Sequence, residues 1–320
     1  EVMMMSTAAK IGVKSGSSSL SGFWKKVRKQ KFLILMILPA FLIVLIFNYF
    51  PMYGILMAFE NYKVAYGVWG SEWVGLEHFQ TFFSNPLAVR TIKNTVLLGV
   101  YNFLWSFPAP ILLALLINEI NSRRFKKVVQ TISYLPYFLS TVIIVGMLKD
   151  FCSINGGLFN QIITALGGEP INFFSESGWF RTLFIGSGIW QGIGWGTIIY
   201  LAALAGVDVA LYEAATIDGA NRFQKIIHIT LPAIMPTVTI LMIMNVGGIL
   251  GSDFQKVMLM YSPKIYDVAD VIGTYTYREG IEGAKYSYTT AVGLFTSVLS
   301  FILLAITNFI CKKFSDNSLW

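Results

Sequence analysis

Charge is scarce in this chain. Asp, Glu, Lys and Arg make up 13% of it, and several long stretches hold none at all. Two cysteines, Cys152 and Cys311, are too few for the disulfide framework that small secreted folds rely on. The two histidines, His78 and His228, have no metal-ligand spacing, so no metal site is expected. No Gly-x-x-x-x-Gly-Lys-Ser/Thr occurs, which excludes ATP binding through a P-loop. No Ser/His/Asp constellation suggests a nucleophile, so no catalytic residue is expected and the chain itself is not read as an enzyme. Trp24–Lys31 is a juxtamembrane basic segment; a nucleic-acid role for it has no other support in the chain, and nucleic acid is not an expected partner.

What the chain has in quantity is apolar surface. Aliphatic and aromatic residues make up 55% of it, and the mean hydropathy is +0.63. That is the composition of a membrane protein. Six apolar runs, at Phe32–Phe50, Thr95–Asn118, Val128–Leu148, Thr182–Ala205, Ala233–Gly251 and Tyr288–Ile310, contain no Asp, Glu, Lys, Arg or His. At about 1.5 Å per helical residue, each comes close to crossing a hydrocarbon core of about 30 Å. Pro39 lies in the first run, and the second is expected to kink or unwind at Pro108 and Pro110. The third is expected to bend at Pro136.

The charges between the runs set an orientation. With both termini inside, the inner segments hold fifteen of the 24 Lys/Arg and six of the 17 Asp/Glu. The short inner loops carry the Lys/Arg excess of a cytoplasmic face. The reading is an all-α membrane protein with six transmembrane helices and both termini cytoplasmic. A basic tail spans 1–31, with a flexible Ser/Gly stretch at Ser15–Ser19, and leads into a retained first helix. A six-helix domain spans 32–311, and a short tail closes the chain at 312–320. The segments Glu60–Lys93, Asp150–Gly178 and Gln255–Ser287 fall outside, the second with room for one short helix and the third rich in tyrosine.

Between the fourth and fifth runs lies a more polar loop, 206–232. Leu211, Tyr212, Ala214, Ala215 and Ile217 read as a short helix with Asp208 as N-cap. Asp218-Gly219 is a turn signal, since glycine tolerates positive φ. A second short helix follows, with Phe223, Ile226 and Ile227 on one side and Arg222 and Lys225 on the other. Leu231-Pro232 is expected to end it. Glu213-Ala214-Ala215, then Gly219, Ile229 and Leu231-Pro232, fix seven positions over twenty. This pattern resembles the EAA loop of binding-protein-dependent ABC importer permeases, and Asp218-Gly219-Ala220-Asn221 is similar to the version in maltose-type carbohydrate permeases. Val74–Phe79, Asn85-Pro86 and Asn94-Thr95 resemble the stretch before the second core helix of the same family.

The resemblance implies a bacterial cytoplasmic (inner) membrane permease that moves a carbohydrate, an oligosaccharide by preference, by alternating access. It implies a heterodimer with a second permease subunit, an ABC ATPase dimer that binds ATP and Mg, and an extracytoplasmic substrate-binding protein. It makes Glu213, Ala214, Ala215, Asp218, Gly219, Ile229, Leu231 and Pro232 the ATPase-coupling residues. No cofactor is expected in this chain, and membrane lipid surrounds it.

For the substrate path the candidates are Trp190, Gln191, Trp195, Asn245, Ser252 and Asp253. Tryptophan faces stack on sugar rings, and amides pair with hydroxyls; tryptophan also belongs to interface belts, and the glycines from Gly192 to Gly196 suit close helix packing. Asn245 equally reads as a packing amide, and Ser252-Asp253 as a helix cap. A stand-alone secondary transporter or channel is the alternative function. Ion-coupled carriers commonly place charges inside the membrane, and the six runs have none.

Overall fold

The structure is a computed structural model, and it describes residues 29–251 and 253–314. The basic tail expected over 1–31 lies almost wholly outside these residues, as do Ser252 and most of the C-terminal tail. The chain divides between Gly54 and Ile55 into two units. Helix α1 (Lys31–Phe59) starts in the first and ends in the second, and its stretch Lys31–Val44 has no buried residue. An apolar helix exposed on every side suits hydrocarbon rather than water. It continues past Phe50, the end of the first apolar run. It widens into a π turn at Leu45–Tyr49 and continues as 3-10 helix to Phe59, the winding changing where a proline cannot donate.

After α1 the second unit continues with a two-residue antiparallel ladder, β1 (Glu60–Asn61) on β2 (Glu72–Trp73). Helix α2 (Glu77–Ser84) follows, and α3 (Pro86–Asn118) starts nine residues before the expected Thr95. The reason is local: the Asn85 side chain accepts from the Leu87 N–H at 2.9 Å, and Pro86 sits in the first turn, where its missing donor costs nothing. Pro108 and Pro110 do not unwind α3. Phe107 keeps helical angles, and the prolines fall in the first turn after it.

The third run behaves differently. Helix α4 (Arg123–Tyr134) passes through a 3-10 turn at Leu135–Phe138 and meets α5 (Thr141–Phe151) at an angle of 100°. Pro136 sits in that turn, Leu139 is extended, and Ser140 caps α5. The expected bend is therefore a full break. Helix α6 (Leu158–Ala165) is the short helix of the following segment, and α7 (Ser177–Ala205) is an unbroken helix of 29 residues.

After α8 (Val209–Ile217), helix α9 runs from Arg222 to Gly247. Leu231-Pro232 does not terminate it. A π turn at Ile226–Thr230 precedes Pro232, which then occupies the opening turn of the next α-helical stretch, where no donor is required of it. Helices α10 (Phe254–Met260) and α11 (Ile272–Tyr277) lead to α12 (Tyr286–Phe314). Among the described residues five helices, α1, α3, α7, α9 and α12, are long and apolar enough to cross a membrane, and the α4–α5 pair makes a sixth if counted as one broken span.

In the second unit, α7 packs along α3 and α9 packs along α12. The glycines of α7 explain how close it comes to its neighbours: a Cβ on Gly194 would collide with the Ser133 carbonyl of α4, and one on Gly196 would sit 2.8 Å from Cγ of Pro110. The largest apolar cluster among the described residues joins Val145 of α5, Phe180, Leu183 and Phe184 of α7, and Val257 and Met260 of α10. The tyrosine-rich segment before α12 is packed, not loose. Asn94 of α3 donates to the carbonyls of Asp267 and Asp270 at 2.9 and 3.0 Å, and Thr95 Oγ1 accepts from Ile272 N–H at 2.8 Å. Arg278 closes a two-pronged pair on the fully buried Asp270 carboxylate at 3.2 and 2.7 Å.

Candidate functional site

Two places in the second unit carry the expected site residues. The first is a cavity of about 620 Å³, within the size range of ligand sites. Its walls are α3 (Asn102, Ser106), the α4–α5 break (Tyr137, Thr141), α7 (Phe184, Gly188, Gln191, Gly192), the end of α9 (Met244, Asn245) and the start of α10 (Asp253, Lys256).

Polar groups of this cavity are partly committed to the protein and partly open. The Gln191 amide donates to the Leu139 carbonyl at 3.0 Å. The α4–α5 break frees that carbonyl, and irregular backbone at membrane depth has to be met by protein groups or by water. Gln191 thus satisfies the break with its N–H and keeps its own carbonyl. Ser106 donates to the Asn102 carbonyl at 2.9 Å, which leaves the Asn102 N–H groups without a protein acceptor among the described residues. Asn245 donates back to Leu241 O at 2.8 Å, and Asp253 caps α10 by accepting from Lys256 N–H at 3.1 Å.

Gln191, Asn245 and Asp253, which lie far apart in sequence, are therefore brought to one cavity. The two tryptophans are placed elsewhere. Trp190 lies over an apolar recess with Ile144, Met147 and Phe159. Trp195 stacks flat on Tyr137, with ring centroids 4.5 Å apart and planes at 3°, so Tyr137 stands between it and the cavity. Ser252 lies outside the described residues. Among the wall residues that went unnoticed in the sequence are Asn102, Tyr137 and Lys256. Asn102 is one amide in an apolar run, and Lys256 looked like an ordinary charge of a polar segment. Only the α4–α5 break, signalled by Pro136, pointed toward Tyr137.

The second place is the helical hairpin formed by α8 and the start of α9. Asp208 Oδ1 accepts from Ala210 N–H at 2.9 Å and caps α8. At its other end Ala220 N–H reaches back to Ala215 O at 2.8 Å, with Gly219 at φ +78°. Asn221 and Gln224 form a reciprocal capping box at 2.9 and 2.8 Å, which starts α9. Lys225 Nζ ties across to Thr216 Oγ1 at 2.7 Å, and Tyr212 OH meets Thr230 Oγ1 at 2.9 Å. Glu213, Ala214, Asp218 and Gly219 are exposed on this hairpin, with Ala215 and Ile229 half-buried in the groove between its arms. Leu231 instead packs inward on the cluster of Ala114, Tyr200, Leu204 and Ile234, and Pro232 is exposed. Neither α8 nor Arg222–Lys225 has a buried residue, and Ile217 and Phe223 are 87% and 70% exposed.

A bundle of membrane-crossing helices around a polar cavity, with a structured hairpin between two of the spans, defines a multi-pass membrane permease. The chain belongs to the family described as binding-protein-dependent transport system inner membrane component, which matches residues 82–316. Among curated relatives, protein LplB of Bacillus subtilis is 45% identical over 92% of both chains. The polygalacturonan/rhamnogalacturonan transport system permease protein YteP of the same organism is 44% identical, again over 92% of both. Among solved structures, a chain of a bacterial alginate ABC transporter, in complex with an alginate pentasaccharide-bound periplasmic protein, superposes with a TM-score of 0.86. It is 40% identical, over 92% of this chain and 99% of that one.

Proposed function

We propose that this chain is one permease subunit of an ATP-driven importer whose cargo is an oligosaccharide. The observation that carries this reading is the match to the alginate transporter chain, nearly full length in both directions. YteP, with polygalacturonan/rhamnogalacturonan in its name, supports the cargo class. An extracytoplasmic binding protein delivers the cargo, a second and different permease completes the pathway, and a separate ATPase dimer binds ATP and Mg. Both termini and the hairpin at 206–232 face the cytoplasm, a placement supported by the Lys/Arg excess of the inner segments.

In this reading the hairpin is the coupling element. Its exposed apolar side chains fill a groove on the ATPase, Glu213 makes a polar contact there, and Gly219 sets the turn. Gln191, Asn245 and Asp253 line the substrate path. Alternating access then follows from movement of the hairpin transmitted along α9, which is one helical run from Arg222 to Gly247 and so joins the hairpin to the cavity wall at Asn245.

The test is co-purification of this chain with the products of neighbouring genes under gentle extraction, comparing the intact chain with Glu213→Ala and Gly219→Pro. An ATPase retained by the intact chain and lost or weakened in the variants is the expected result. No associated ATPase, or no oligosaccharide that stimulates ATP hydrolysis by the complex with its binding protein, overturns the reading.

A further inference from the structure

Lys256 is an unusual residue for its position. Its side chain is in the wall of the cavity, yet the residue is only 3% exposed. An ammonium group has three donors and no acceptor. Here Nζ donates once, to the Phe184 carbonyl at 2.8 Å, and lies 4.8 Å from the centre of the Phe184 ring. Neither ion pair among the described residues, Arg278–Asp270 or Lys285–Glu279, includes it. The other charged group of the wall, Asp253, is engaged at the α10 N-cap. Burial pulls the Lys256 ammonium down to about 8, with the Asp253 charge acting in the opposite direction. A cation taken out of water with unfilled donors is costly, and that cost is offset when an anion comes to it.

The stretch of α7 beside the ammonium is shaped to let one in. Gly188 and Gly192 lie one turn apart on α7 and both line the cavity. A Cβ on Gly188 would be 3.2 Å from Lys256 Nζ, while one on Gly192 would meet nothing within 4 Å. Any larger residue at 188 would screen the ammonium from the cavity. Asn102, with its free N–H groups, and the Gln191 carbonyl supply hydroxyl partners at the same level of chemistry: neutral, directional and suited to a sugar.

The geometry points to Lys256 as the residue that takes a sugar carboxylate in this cavity, so that the cargo is an oligosaccharide bearing uronate units. This rests on the oligosaccharide-permease reading and goes beyond it by assigning the charge-reading group. A lysine that merely pins α10 to α7 through the Phe184 carbonyl would hold the wall together whatever the cargo.

The experiment uses the full complex in nanodiscs, without the binding protein so that its selectivity does not enter. Equilibrium binding is measured for labelled trigalacturonate and for its carboxyl-reduced counterpart, a neutral trigalactoside. Lys256→Gln is expected to weaken trigalacturonate binding about tenfold or more, as for loss of a charged hydrogen bond, and to leave the neutral probe within about twofold. Lys256→Arg is expected to keep the preference, and basal ATP hydrolysis reports assembly of every variant. If Lys256→Gln does not assemble, Gly188→Ala is read instead, with the same selective loss expected. Equal weakening of both probes, or of neither, overturns the assignment. An intact complex that binds neutral oligosaccharides but not trigalacturonate also overturns it and leaves the permease reading standing. An intact complex that no oligosaccharide binds or stimulates removes both.

Discussion

The cavity wall and the helical hairpin are held by opposite means. The hairpin buries nothing in α8 or in Arg222–Lys225, and its shape comes from caps, one positive-φ glycine and a few side-chain bonds, each within about twenty residues of sequence. The cavity wall draws on residues from Leu98 to Lys256, brought together by tight backbone contacts and buried hydrogen bonds. A locally determined element is able to keep its form while it moves against a partner. A wall built from distant segments keeps its form only while the whole packing does. Damage to the wall region therefore belongs in the stability of the unit, and damage to the hairpin, on the proposed reading, in coupling.

The sharpest break of this contrast is Arg278→Ala. It leaves the fully buried Asp270 with Thr274 as its remaining side-chain partner, and a loss of about 3–5 kcal/mol is expected. Thermal unfolding in detergent, followed by tryptophan fluorescence, checks it; an unchanged midpoint would contradict the structural role of the pair. Next is Gly194→Ala, whose methyl meets the Ser133 backbone, for an expected loss of about 1–3 kcal/mol in the same assay.

Gly219→Ala is expected to cost about 1–2 kcal/mol, because the space around it is open and only its φ of +78° resists a side chain. The loss is confined to the hairpin: the unfolding midpoint of the bundle stays, and binding-protein-stimulated ATP hydrolysis falls. Smallest is Asn221→Ala, which removes one half of the capping box for about 1 kcal/mol. Faster proteolysis at 217–222 with an unchanged midpoint is the expected readout, and a shifted midpoint would show that the hairpin is coupled to the core after all.

The hairpin was legible in the sequence almost residue by residue, since Asp208, Gly219 and the two short helices follow from capping and turn chemistry. Its downstream limit was not. Leu231-Pro232 reads as a stop, whereas a π turn at Ile226–Thr230 lets α9 continue through it. A similar limit applies to Pro108 and Pro110, which fit the start of a helical stretch without unwinding it, and to Pro136, whose bend reaches 100° because a 3-10 turn and an extended Leu139 follow. Proline removes a donor by its chemistry, but the neighbouring turns decide what the backbone does about it.

By itself the sequence determined that this is a multi-pass helical membrane protein with its hairpin between two spans, because hydropathy, charge placement and turn residues act over short distances. Tertiary structure alone decided which of the candidate residues share a cavity. It gathered Gln191, Asn245 and Asp253, set Trp195 behind Tyr137, and brought Lys256 to the glycine face of α7. The physical reason is that side chains some sixty residues apart along the chain meet only through helix packing, here through glycines that let backbones touch and a broken helix whose free carbonyl Gln191 fills.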